Sequence, residues 1–119
     1  MENYVQGGEV IPFVAGATIV SGQVVAIGNI LGVATADVAN GATGYARIRG
    51  VFTVPKVSGA VIANGESLTW DVSAAAFDDN AATPATGDIT GAPAVAFEAA
   101  GNGVTSMKVL FTGVPGTKT

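Results

Sequence analysis

Between residues 66 and 79 the chain gathers four carboxylates, Glu66, Asp71, Asp78 and Asp79, around its single tryptophan, Trp70. Paired carboxylates can share general acid and base work, and several converging carboxylate oxygens can hold a hard cation. The spacing favours neither. If Leu68, Trp70 and Val72 face inward on a strand, Asp71 faces outward, and the adjacent Asp78 and Asp79 point to opposite sides. Glu66 follows the Asn64-Gly65 turn, where a charge is easily solvated, and the EF-hand spacing is absent. Trp70 is therefore expected as a core or interface anchor, and Asp78-Asp79-Asn80 as a solvated turn. Asp37 and Asp88 read as loop residues.

Other chemistries lack their parts. The chain has no cysteine and no histidine. Disulfides, thiolate ligands and cysteine nucleophiles are excluded, and the commonest general base and metal ligand is missing. Gly16 to Gly22 superficially resembles a phosphate-binding loop, but its glycines are one residue too far apart and Gln23 stands where lysine is needed. Gly101-Asn-Gly103 has Ser106 in the place of the third glycine of a dinucleotide-binding turn. No Gly-x-Ser-x-Gly elbow occurs, and a Ser-His-Asp triad cannot form without histidine. No enzyme activity, cofactor or metal is expected.

Charge narrows the partners. The net charge is −4, with only five Lys and Arg. A nucleic-acid binder needs a basic footprint that this chain lacks. The start Met1-Glu2-Asn3 has no basic signal-peptide region. The longest mostly apolar run, Val10 to Val20, contains Pro12 and Gly16 and is too short to cross a bilayer. Neither nucleic acid nor membrane is expected as a partner, and synthesis in a cytosol is.

The elements that must position these residues are strands. Glycine and β-branched residues dominate, and no segment sustains a helical period. Asn40-Gly41, Asn64-Gly65 and Asn102-Gly103 each predict a hairpin turn of type I′, with positive φ at both residues. In Tyr45 to Val54, Ala46, Ile48, Phe52 and Val54 share one face, and Tyr45, Arg47, Arg49 and Thr53 the other, with Val51 an exception. This predicts one half-buried strand. Met107, Val109 and Phe111 alternate with Ser106, Lys108 and Thr112, interrupted by Leu110. Leu68, Trp70 and Val72 alternate with Thr69 and Asp71, and Val95 and Phe97 with Ala94, Ala96 and Glu98. The runs Glu9–Ala15, Gln23–Ile27 and Ile30–Ala34, apolar on both faces, predict central strands or strands covered by a partner.

The fold class that follows is all-β, a compact antiparallel barrel or sandwich with short hairpins. Its 119 residues suit one domain, 1–119, with an N-terminal arm (1–8), a C-terminal tail (113–119) and a long loop between Asp78 and Gly91. Charged residues make up 12 % of the chain, about half of the roughly 25 % typical of soluble domains. Either much of the surface packs against copies or partners, or Ala, Gly and Thr replace charges on a neutral surface. Arg47 and Arg49 share a strand face with Tyr45. That face either meets an acidic patch on a partner or is a solvated face paired with nearby carboxylates.

Several segments together resemble one family. Asn3-Tyr-Val-Gln-Gly-Gly-Glu-Val-Ile11 and Ser21-Gly-Gln-Val-Val-Ala-Ile-Gly-Asn-Ile-Leu-Gly-Val-Ala34 are similar to its opening. Gly50-Val-Phe-Thr-Val-Pro-Lys56 and Ala63-Asn-Gly-Glu-Ser-Leu-Thr-Trp-Asp71 continue the match, and Gly91 to Gly113 resembles its last strands. The family is that of the capsid decoration, or cement, proteins of tailed bacteriophages and prophages. Ala75 to Pro93 departs most from it. Some members carry a label of RecA-like phage recombinase, against which the missing nucleotide loop and basic surface argue. The resemblance implies an all-β subunit on the outer surface of the head, made in the host bacterial cytoplasm. It implies binding to the major capsid protein and a homo-oligomer, a trimer or alternatively a dimer. The residues expected at a capsid or subunit interface are Asn3, Tyr4, Val5, Gln6, Tyr45, Arg47, Arg49 and Trp70. The polar N-terminal arm could add a strand to a sheet of the shell. A head-surface module for host glycans is the competing reading, and a recombination protein the third.

Overall fold

The computed structural model describes residues 9–119. The chain first forms β1 (Val10–Val14), β2 (Val24–Ile27), β3 (Ile30–Ala34) and β4 (Thr43–Arg47). Then come β5 (Arg49–Pro55), β6 (Thr69–Asp71), β7 (Ala76–Asp78) and β8 (Ile89–Thr90). β9 (Ala94–Ala96), β10 (Ser106–Thr112) and β11 (Thr117–Lys118) follow. They build three sheets, ordered β1-β4-β3-β2, β5-β10-β9 and β11-β8-β6-β7. Every ladder between these strands is antiparallel. The described residues contain no helix, and the all-β class holds.

Two apolar clusters lie on either side of the first sheet. Leu31 and Val33 of β3 enter the larger one, with Val54, Leu68, Trp70, Phe77, Ile89, Met107, Val109 and Phe111. Ala34 enters the smaller one, with Ile19, Val25, Val38 and Ala46. β3 is therefore the central strand its composition predicts. Gly32 is needed within it, because a Cβ there would stand 2.9 Å from the Arg47 carbonyl oxygen of β4. A row of aromatic rings crosses the larger core. Phe52 meets Phe111 at 5.7 Å, Phe111 meets Phe77 at 5.9 Å, and Phe77 meets Trp70 at 4.9 Å. Offset and edge-on contacts of this kind add to area burial.

The structure corrects several local expectations. Tyr45 to Val54 is two strands, not one. The chain leaves the first sheet at Ile48, whose N–H donates to the Glu9 carbonyl, and enters the second at Arg49, with the next residue of that strand, Gly50, at φ +129°. Burial nonetheless alternates as expected, but the inward residues do not share one core: Ala46 enters the smaller cluster and Val54 the larger. β1 and β2 are the outer strands of their sheet rather than central ones, and β1 is only partly buried. Val72 is exposed because β6 ends at Asp71 and the chain turns there, whereas Thr69 is buried on β6, the strand between β8 and β7. In β9 the alanines face inward: Ala94 and Ala96 are buried and Phe97 is exposed. β9 is wedged between β10 and residues 66–68, and Phe77, Phe111 and Leu68 already fill the space beneath. Small side chains are what remains possible there.

The Asn-Gly turns form with another geometry. In each, the N–H of the residue after glycine donates to the carbonyl of the residue before asparagine. Only the glycine has positive φ, at +83°, +82° and +91° for Gly41, Gly65 and Gly103. That is the pattern of a type II turn. The C-terminal segment expected as a tail is laid along the third sheet. β11 pairs with β8, the Gly116 N–H donates to the Asn29 carbonyl, and the Gly87 N–H donates to the Thr119 carbonyl.

Candidate interaction surface

The carboxylates of the opening cluster serve the chain's own backbone. Glu66 accepts the N–H groups of Ala63 at 3.1 Å and Asn80 at 2.9 Å. Asp71 accepts the Ser73 hydroxyl at 2.8 Å and the N–H groups of Ser73 and Ala74. Asp78 accepts the Asp79 N–H and Asp79 the Ala81 N–H. These are Asx-type turns and loop ties. Asp88, expected in a loop, is buried and bridges the N–H groups of Val72 and Ala85. The Ser73 hydroxyl, then the Ala74 N–H, holds the Asp71 carboxyl below its ordinary value. Among the described residues no group of three or more His, Cys, Asp or Glu could hold a metal ion.

Lys56 is buried, and its Nζ donates to three carbonyls, those of Val57 at 2.8 Å, Gly101 at 3.0 Å and Val104 at 3.1 Å. All three ammonium protons are thereby satisfied.

The outer face of the β5-β10-β9 sheet carries exposed apolar and basic side chains together. Registers place Val51 opposite Leu110, and Leu110 opposite Val95, so three apolar side chains form one row across three strands. Val51 is 41 % and Leu110 37 % exposed. In the next row Thr53 pairs with Lys108, and the Phe97 N–H donates to the Lys108 carbonyl, which puts exposed Phe97 beside it. On the other side Arg49 pairs with Thr112. An apolar row between Arg49 and Lys108 results. Glu98 sits at its margin, accepting the Lys108 N–H.

The cations are unevenly placed. Of the five Lys and Arg, Lys56 is internal, Arg47, Arg49 and Lys108 are exposed on β4, β5 and β10, and Lys118 is exposed on β11. Tyr45 is exposed on β4 opposite Pro12, and Arg47 on β4 opposite Val10 and Val33. Arg47 and Arg49 flank the crossing at Ile48, so Tyr45 and Arg47 belong to the first sheet and Arg49 to the second. Arg47 also lines a small cleft with Ser21, Thr35 and Phe52. Trp70 lies in the core against Phe77. It also lines a groove of about 510 Å³ with Phe13, Val24, Val25, Pro55 and Val72. Asn3, Tyr4, Val5 and Gln6 lie outside the described residues. Sequence reasoning did not single out Val51, Leu110, Phe97 and Lys108; for Val51 and Leu110 the interruption of alternation was the signal.

The fold is all-β, and one of its sheets bears an exposed apolar row flanked by cations. The sequence matches the family model of phage cement proteins over residues 5–111, and the chain belongs to that family. No curated protein matches it. The family is structural, and its name points to the capsid of a phage particle.

Proposed function

We propose that this protein, as one domain spanning 1–119, decorates the outer surface of a phage head. There it ties neighbouring capsomers together against the outward push of packaged DNA. The observation that carries the reading is the open row of Val51, Leu110 and Val95 between Arg49 and Lys108, in a family of cement proteins. The partner is the major capsid protein, and the complementary patch on it is apolar with acidic groups at its rim. The apolar row supplies burial, and the cations steer and fix the register. Tyr45 and Arg47 extend the contact along the first sheet. The N-terminal arm, residues 1–8, adds a strand to the shell.

Several modest contacts suffice if subunits act as one oligomer, a trimer in preference to a dimer, because linked sites bind at high effective concentration. A rigid β scaffold suits a clamp across a junction. The protein is made in the host cytoplasm and resides on the virion.

The test is stoichiometry followed by reconstitution. Purified virions should contain this protein in a fixed ratio to the major capsid protein, set by the lattice. Added to heads that lack it, the protein should bind and raise the temperature at which they release DNA. Absence from particles would overturn the proposal.

A further inference from the structure

The three Asn-Gly dipeptides share a feature that concerns chemical durability rather than docking. The Gly41 N–H donates to the Ala15 carbonyl at 2.8 Å, the Gly65 N–H to Ala96 at 2.9 Å, and the Gly103 N–H to Ser58 at 2.7 Å. Each acceptor belongs to a distant segment. Two of the ties are reciprocal. The Ala15 N–H donates to the Ala42 carbonyl, and the Ala96 N–H to the Glu66 carbonyl. The third turn is gripped differently. Buried Lys56 donates to the carbonyls of Gly101 and Val104, the first and last residues of that turn.

Asn-Gly is the dipeptide most prone to deamidation. The glycine nitrogen gives up its proton and attacks the asparagine side-chain carbonyl carbon. A new C–N bond closes a five-membered succinimide, the bond to the side-chain nitrogen breaks, and ammonia leaves. Water then opens the ring to aspartate or isoaspartate. The attack needs a glycine nitrogen that can lose its proton and a backbone that can swing it onto the side chain. A nitrogen held to a remote carbonyl, in a turn closed by its own hydrogen bond, has neither freedom.

We propose that the fold blocks succinimide formation at Asn40, Asn64 and Asn102 by holding the attacking nitrogens, and that Lys56 is the positioning residue for the third site. Modification then proceeds through local opening of each turn. This stands whether or not the protein coats a capsid. Each event would add a negative charge to a chain already at −4, and an isoaspartate would lengthen the backbone within a turn.

The test incubates the full chain at mildly alkaline pH, folded and in denaturant, and follows each asparagine by peptide mass spectrometry. Deamidation at all three sites should be at least about tenfold slower in the folded chain. Folded rates within about twofold of the denatured ones would overturn the proposal. Lys56→Met adds a site-specific readout. Asn102 should modify faster while Asn40 and Asn64 stay protected. Equal acceleration at all three, in a variant still folded by circular dichroism, would remove Lys56 from the account. If that variant does not fold, amide exchange in the wild type decides it. Gly103 should then be protected together with its neighbours, and fast exchange there would overturn the claim.

Discussion

Val51 and Leu110 face each other across the β5–β10 ladder, and each interrupts the alternation of its own strand. Two apolar side chains on the outward phase of separate strands would be unremarkable as scattered surface residues. Placed opposite each other and beside Val95, they form a continuous patch. Such a patch has a cost in solubility unless something covers it.

Leu110→Glu tests whether that row docks. The side chain is partly exposed, so stability should change by no more than about 0.5 kcal/mol. Affinity for heads lacking the protein should fall at least about tenfold, since a charge would enter the centre of the contact. Val61→Glu, at a position 65 % exposed outside this sheet, should bind as the parent does. Equal loss in both, measured by sedimentation with heads, would refute the assignment.

The cations flanking the row predict a dependence on salt. Exposed charges separated by more than about 10 Å are screened at roughly 0.1 M salt, so head association should slow as ionic strength rises. Replacing Arg49 and Lys108 together with alanine should flatten that dependence while leaving the apolar part of the affinity. Association rates of parent and double variant over a salt series provide the comparison.

Alternation made the inward residues of β5 and β10 legible, because one side of each strand is buried and the other is not. It could not reveal the crossing at Ile48, since phase continues unbroken while the partner strand changes. β9 was misread for another reason. A pattern ranks Val95 and Phe97 above Ala94 and Ala96 for burial, but the volume already taken by Phe77 and Phe111 decides the matter. Among the carboxylates between Glu66 and Asp79, Glu66 was legible from the Asn-Gly turn before it and Asp71 from strand alternation, but Asp78, expected in a solvated turn, closes β7 and is half-buried. The row of Val51 and Leu110 was legible only as two exceptions. Their meeting depends on a register between segments far apart in the chain.

Trp70→Ala should cost roughly 3–5 kcal/mol, the range for truncating a large buried aromatic. Trp70 is only 7 % exposed and packs on Phe77 with ring centres 4.9 Å apart. Denaturant unfolding measures the loss. A cost under about 1 kcal/mol together with lost assembly would instead mark it as an interface anchor.

Gly116→Ala should lift the C-terminal strand. A Cβ there would collide with the Thr90 carbonyl oxygen and stand 2.7 Å and 2.8 Å from Pro93 Cγ and Cδ. Overpacking of this kind costs about 1–3 kcal/mol. Amide exchange should quicken at Thr119, whose N–H donates to the Asp88 carbonyl. Exchange at Val109, in the middle of β10, should barely change.

Asp71 predicts a pH dependence whose sign follows from its hydrogen bonds. The Ser73 hydroxyl, then the Ala74 N–H, favours the ionised carboxylate and lowers the folded value below the ordinary 3.8. A depressed carboxyl stabilises the fold above its unfolded value, and that contribution disappears as pH falls through the folded value. Ser73→Ala removes the largest cause, so the Asp71 titration followed by NMR should move up towards the ordinary value. The stability gap between parent and variant should be present at neutral pH and shrink below about pH 4. A gap that does not change with pH would mean that the hydroxyl acts through something other than the ionised Asp71.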